Sequence, residues 1–323
     1  MNRTMLIVVM LTGAMAGYSQ PGSARQQGVM PLDALRREPV RPQLDIPYAA
    51  TDNPRQRLDL YLPNKPGSNR LPVIVFLHGG GWRYGDKASG AAHLMPFVRS
   101  GEYAGVSAGY RLSNEAIWPA QIHDSKAAIR WIRANADKYG LDSRRIAVWG
   151  RSAGAHLTLM LGVSSDVPEL EGDLGRHTDM TSAVSGVVNF FGVTDIPALI
   201  GLPSDIDRAD PLAPEARLIG RALPGNADAA RAASPMTYVT PNDAPVLTLH
   251  GTADNIVPYD QAVRLDRALT QAGVPSYFIS VTGARHGGFP DEAIDRVQDF
   301  FSKILLGNDV EIPTGTLNAP EAD

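Results

Sequence analysis

The chain contains no cysteine among its 323 residues, which excludes thiolate nucleophiles, disulfides and cysteine-ligated metal sites. It has no surplus of positive charge either. Thirty Lys and Arg stand against 34 Asp and Glu, a formal net charge of −4 without a basic cluster, so no nucleic-acid partner is expected. Long apolar runs are also missing: Met5 to Leu11 falls well short of the roughly 18 residues a membrane span needs. No long basic amphipathic stretch points to stable membrane association. Neither glycine cluster has the Gly-x-Gly-x-x-Gly spacing or a Gly-Lys-Ser/Thr ending, so no nucleotide cofactor is expected. His93, His123 and His177 form no metal-ligand spacing with carboxylates, and no metal is expected.

What is present divides the chain into unequal parts. Asn2-Arg3, the apolar Met5 to Leu11 and the small-x-small Ala14-Met15-Ala16 have the form of a secretory signal over residues 1–16. The expected location is therefore secreted or periplasmic, with a fold that is stable there without disulfides. Residues 17–41, rich in Pro, Gln, Gly and Arg, read as a linker or arm, and the polar residues 308–323, with two prolines, as a disordered tail. Between them, over 42–307, strand-like runs at Leu58 to Leu62, Val73 to Leu77, Tyr103 to Tyr110, Ile146 to Trp149, Val184 to Phe191, Val246 to His250 and Tyr277 to Val281 alternate with helix-like stretches such as Pro119 to Tyr139 and Tyr259 to Ala272. Such alternation predicts an α/β domain with a mostly parallel sheet and helices on both faces, its functional loops at the carboxyl ends of the strands. Residues 194–241, rich in Pro, Asp, Ala and Arg, break the rhythm and read as a small lid or specificity loop, with a plain solvent-exposed connection as the alternative.

The chemistry concentrates in four segments. Gly150-Arg151-Ser152-Ala153-Gly154 stands between an apolar strand-like run and a helix-like stretch, the setting of a nucleophile elbow. Chance alone supplies about 0.2 matches to the pentapeptide in such a chain, so context decides. Upstream, His78-Gly79-Gly80-Gly81-Trp82 follows a strand-like run and exposes backbone N–H groups suited to an oxyanion hole, assigned here to Gly80, Gly81 and Ala153. A serine hydroxyl also needs a general base held by a carboxylate. Asp254 and His286, each in a loop after a later strand-like run, complete the order Ser, Asp, His of an α/β-hydrolase triad. Asp195 is the alternative acid. His250 reads as a buried structural histidine, His78 as an orienter of the glycine loop, and His156 as a packing residue. Trp82 and Tyr84 are candidates for stacking on a sugar or aromatic acyl group, with core packing as the alternative reading.

Together with Tyr110-Arg111-Leu112, Trp118-Pro119-Ala120, Asp124, Trp131 to Ala136 and Gly140-Leu141-Asp142, these motifs resemble the α/β-hydrolase serine esterases of the hormone-sensitive-lipase-like and carboxylesterase group. Within it they resemble the bifunctional feruloyl and acetyl-xylan esterase branch. The resemblance covers nearly all the chain after residue 45. It implies cofactor-free hydrolysis of short-chain carboxylic esters through an acyl-serine, on a small-molecule ester or an acylated plant polysaccharide. Ala155 departs from that branch, which often has a second glycine there. Related motifs in kynurenine formamidases keep an amidase open, and the same triad keeps a general carboxylesterase and a serine peptidase open.

Overall fold

The computed structural model describes residues 30–320 apart from Ser68. The signal expected over 1–16 and much of the arm over 17–41 lie outside the described residues. A single nine-stranded sheet organises the rest, in the order β1-β2-β4-β3-β5-β6-β7-β8-β9. The strands are β1 (Val40–Pro47), β2 (Arg57–Pro63), β3 (Leu71–Leu77), β4 (Ala104–Ala108), β5 (Leu141–Arg151), β6 (Gly186–Phe190), β7 (Val246–Gly251), β8 (Ser276–Thr282) and β9 (Gly315–Asn318). β1 and β2 pair antiparallel with their neighbours, and from β4 onward every pairing is parallel.

β3, β4, β6 and β7 are buried at every position because both faces of the sheet are covered there. Along β3, Val73, Val75 and Leu77 enter one apolar cluster while Ile74 and Phe76 enter the other, the twofold alternation of a pleated strand. On the first face lie α3 (Ala120–Ala134), α4 (Ala136–Tyr139), α5 (Ala153–Val163), α6 (Pro214–Ile219), α7 (Ala227–Ala232) and α8 (Asp260–Ala272); on the second lie α1 (Leu32–Leu35), α2 (Gly90–Arg99) and α9 (Glu292–Phe301). This is the α/β-hydrolase fold. No described helix is long and apolar enough to cross a membrane.

Two expectations about the chain ends need correction. The residues assigned to a disordered tail include β9, which pairs in parallel with β8 from Gly315 to Asn318. The sheet also starts earlier than residue 42, since β1 begins at Val40. Both are edge strands held by backbone hydrogen bonds on one side, so the proline-bearing β1 and the short, polar β9 carry little of the apolar patterning by which inner strands are recognised.

The 194–241 segment folds into α6, α7 and short 3₁₀ turns, and part of it forms a wall over the carboxyl edge of the sheet. A buried ion pair pins it there. Arg208 Nε lies 3.2 Å from Glu215 Oε2, each side chain 3% exposed. The same guanidinium donates to Ser204 Oγ, to the Ile206 carbonyl and, at 2.7 Å, to the Ile256 carbonyl beside Asp254. Burial pushes the Glu215 carboxyl upward, against the opposing pull of Arg208. Arg208→Met should therefore lower stability by about 3–5 kcal/mol, since it strands a carboxylate in the interior. In urea unfolding, Arg208→Met/Glu215→Leu should recover most of that loss. A double variant no better than the single would place the stabilisation in the hydrogen bonds of Arg208 instead.

Candidate active site

All four motif segments meet above the carboxyl ends of neighbouring strands: β3 leads into His78 to Trp82, β5 into Ser152, β7 into Asp254 and β8 into His286. Ser152 sits where β5 turns abruptly into α5, at φ 53° and ψ −122°. A non-glycine residue held in a sparsely populated region costs on the order of 1–3 kcal/mol, and here the surrounding pairing enforces it. The Ser152 N–H donates to the Phe190 carbonyl on β6 at 2.9 Å, locking the turn to the next strand. Gly154 permits the other half of the arrangement. A Cβ there would lie 2.1 Å from the Leu77 carbonyl oxygen and 2.5 Å from that of His78, so only glycine lets α5 press against the end of β3. That contact brings the start of α5 and the glycine loop to one spot.

His286 spans the gap between Ser152 and Asp254. Its Nε2 is 2.9 Å from Ser152 Oγ and its Nδ1 is 2.8 Å from Asp254 Oδ2. A carboxylate can only accept, so Nδ1 bears the proton and Nε2 offers its lone pair to the serine hydroxyl. Asp254 receives two further donors at Oδ1, the N–H groups of Ile256 at 2.9 Å and Val257 at 3.0 Å. Asp195 takes no part in this set: it accepts from the Ala198 N–H and lies 3.9 Å from Arg264.

Sequence reasoning placed His250 in the structure only as a buried residue, whereas it also touches the acid. Its Nε2 is 2.9 Å from the Val257 carbonyl oxygen and 3.2 Å from Asp254 Oδ2. Both partners accept, so Nε2 carries a proton. Burial alone would push the Asp254 carboxyl up, but the hydrogen bonds from His250 and His286 outweigh it and hold the acid well below the usual carboxylate range. A histidine four residues before an aspartate across a strand end has no sequence signature, which is why the contact was not legible.

Around the glycine loop, two histidines act as neutral struts. His78 Nδ1 donates to the Gly79 carbonyl at 2.8 Å, its ring stacks on Tyr110, and the Tyr110 hydroxyl donates to the His78 carbonyl at 2.7 Å. His156, on α5, accepts from the Trp82 indole at 3.2 Å through Nδ1, and its Nε2 donates to the Ala233 carbonyl at 2.7 Å. Burial pushes both histidines down to about 4, so they are uncharged near neutral pH. Through His156 the glycine loop, α5 and the 194–241 segment form one hydrogen-bonded unit. Gly80 stands at φ 116°, where a Cβ would collide with the Tyr84 carbonyl at 2.3 Å, and the Arg83 and Tyr84 N–H groups both donate to the Gly80 carbonyl. This tight turn exposes Gly80 and Gly81 to the cavity beside Ser152 and Ala153. Ala153 opens α5, so its N–H is one of those a helix start leaves without an intrahelical acceptor.

A cavity of about 520 Å³ opens over Ser152 and His286, walled by Phe76, Phe191, Val193 and Val257 and, from the 194–241 segment, by Ile206 and Leu212. Trp82 requires a correction. Although it borders the cavity, its ring is 1% exposed and its indole is committed to His156, so it packs in the core and leaves no open face for stacking on a sugar. Tyr84 is 62% exposed at the cavity mouth, with the Arg83 guanidinium 5.0 Å above its ring. Arg151 also lines the cavity and escaped notice, although the residue before an elbow serine stands beside the nucleophile by construction.

Residues 58–269 match the BD-FAE family model, which is well over half of the chain. The chain belongs to the BD-FAE family. Esterase LipC of Mycobacterium tuberculosis is 32% identical over 252 residues, which are 73% of this chain and 58% of LipC. The chain thus spans less than two thirds of that relative, as it does of LipQ from the same organism, where it spans 63%. Among solved structures, a truncated carbohydrate esterase from gut microbiota superposes with a TM-score of 0.77 at 33% identity, over 84% of this chain and 98% of that one. A bifunctional GH43-CE protein of Bacteroides eggerthii gives 0.75 at 33% identity, over 82% of this chain and 35% of that one. This BD-FAE member therefore shares its fold with carboxylic ester hydrolases along most of its length.

Proposed function

We propose that this chain hydrolyses short-chain carboxylic esters through an acyl-Ser152 intermediate, acting from outside the cytoplasm on acetyl or feruloyl groups of plant polysaccharide. The observation that carries the ester chemistry is the unbroken relay from Ser152 Oγ through His286 to Asp254, at 2.9 and 2.8 Å, opening into a cavity. Ser152 Oγ attacks the ester carbonyl carbon as its proton passes to His286 Nε2. The carbonyl oxygen becomes an oxyanion beside the N–H groups of Gly80, Gly81 and Ala153, and Asp254 holds and stabilises the imidazolium. As the carbon–oxygen bond breaks, His286 returns the proton to the departing alkoxide, and the alcohol leaves. Water then attacks the acyl-enzyme with His286 as base, and the acid departs as Ser152 regains its proton. No cofactor is required by these steps.

The polysaccharide substrate is supported by the motif resemblance, by BD-FAE membership, by likeness to proteins described as carbohydrate esterases, and by the form of an export signal at the N-terminus. The test is product release from acetylated xylan, methyl ferulate, short and long p-nitrophenyl esters, a peptide amide and N-formylkynurenine. Release from xylan or ferulate is the expected result. Turnover confined to p-nitrophenyl esters would leave a general carboxylesterase, and turnover of N-formylkynurenine or the peptide alone would replace the ester reading with an amidase or peptidase.

A further inference from the structure

We propose that Arg151 is a specificity-determining residue that selects esters whose leaving group carries a carboxylate. The inference rests on the ester hydrolysis proposed above. Arg151 directly precedes Ser152, lines the cavity, and holds its guanidinium carbon 5.2 Å over the Phe191 ring. Among the described residues no carboxylate and no hydrogen-bond acceptor engages it; burial alone acts on the group, pushing it down to about 10, so it stays charged at neutral pH. Taking a guanidinium partly out of water without a partner is unfavourable, and that cost is recovered when an anion arrives.

The other charged groups around the cavity do not neutralise it. Arg208 and Glu215 cancel each other, and Arg83 is turned onto Tyr84 at the mouth. His93 is held uncharged, first by burial and then by the neighbouring Arg151 charge, which push it down to about 3. The catalytic-relay carboxylate Asp254 is engaged by His286 and His250, so Arg151 presents its positive charge to the cavity beside Ser152. The side of the reacting carbon is set by His286. The Phe191 ring centroid is 4.5 Å from that of His286, and Arg151 Nη2 lies 3.4 Å from where a Cβ on Gly287 would stand. His286 must reach the oxygen of the departing alcohol to protonate it, so Arg151 flanks the leaving group and not the oxyanion. A planar carboxylate suits a guanidinium through two parallel N–H···O bonds, and the Phe191 face shields the pair from water.

The carboxylate can be borne by an aromatic ring or by a uronic-acid sugar, and two matched pairs separate these. One is 4-acetoxybenzoate against its methyl ester; the other is acetylated glucuronic acid against acetylated glucose. The readout is the ratio of kcat/KM, anionic over neutral, which cancels differences in intrinsic reactivity between variants. In Arg151→Met this ratio should fall about tenfold or more for at least one pair, with Arg151→Lys retaining part of it. An unchanged ratio in both pairs overturns the inference while leaving the ester reading intact. Failure of the wild-type protein to hydrolyse any of the four compounds while it still turns over p-nitrophenyl acetate overturns this inference alone, and failure on p-nitrophenyl acetate as well removes the ester reading and this inference with it. Should Arg151→Met not fold, competition on the wild-type protein decides: 4-hydroxybenzoate should inhibit at a concentration about tenfold below that of methyl 4-hydroxybenzoate, and equal inhibition overturns the proposal.

Discussion

Ser152→Ala should lower ester turnover by something on the order of a million-fold, the loss seen when the nucleophile of a comparable triad is removed. The substitution deletes only Oγ. Its Cβ stays where the elbow already accommodates one, so β5, α5 and the N–H groups of Gly80, Gly81 and Ala153 keep their places. What disappears is the covalent route: no alkoxide forms, and His286 has nothing to deprotonate but water. Residual catalysis from the oxyanion donors and binding alone is worth roughly a thousand- to ten-thousand-fold over water, so the variant should not fall to zero. Steady-state rates on p-nitrophenyl acetate and labelling by a fluorophosphonate give independent readouts. Retention of more than about a tenth of the activity, or labelling that survives the substitution, would end the serine mechanism.

Stability should fall steeply between about pH 6.5 and pH 4, before most carboxylates of the unfolded chain titrate. His78 and His156 are both fully buried, and burial pushes each from an ordinary 6.5 to about 4. In that window the unfolded chain binds protons that the native protein refuses, so stability rises with pH and is lost on acidification. The loss is of order 3 kcal/mol per histidine by pH 4, about 6 kcal/mol for the two, comparable to the whole stability of an ordinary domain. His93, pushed down to about 3, adds in the same direction. Carboxylates held low, Asp254 above all, protect the folded state above their unfolded values and take effect only at more acid pH. Urea midpoints measured at constant ionic strength from pH 7 to pH 4 provide the check, and a flat profile down to pH 4.5 would contradict the neutral-strut reading. Because both histidines brace the glycine loop, activity should decline with the fold.

The strands that carry the reacting groups were legible because they are buried on both faces. Val73 to Leu77 and Ile146 to Trp149 are continuous apolar runs and Val246 to His250 is a mostly apolar one, and each ends in glycine-bearing loops whose backbone requirements limit the residues allowed. Short-range chemistry is written locally, and so Ser152, Asp254 and His286 were each assigned from their own segment. The edge strands β1 and β9 were not legible, since backbone pairing on one side places almost no demand on side chains. Trp82 shows the limit from the other direction. An aromatic next to an oxyanion loop reads equally well as a stacking platform or as core, and only the position of His156, far along the chain on α5, decides for core.

By itself, then, the sequence determined the class of fold, the order of the motif segments along the chain and the three residues, Ser152, Asp254 and His286, that the fold brings into one hydrogen-bonded relay, because those depend on strand periodicity and on residues adjacent in sequence. Tertiary structure alone decided the rest. The second histidine on Asp254, the wall that Arg208 and Glu215 pin over the cavity, and the charge of Arg151, which no carboxylate among the described residues pairs, all arise from segments brought together across the sheet. Charge compensation in particular is a property of neighbours in space. Whether an arginine is paired, stacked or free to bind substrate depends on which carboxylates the fold carries within reach of it, and no spacing along the chain encodes that.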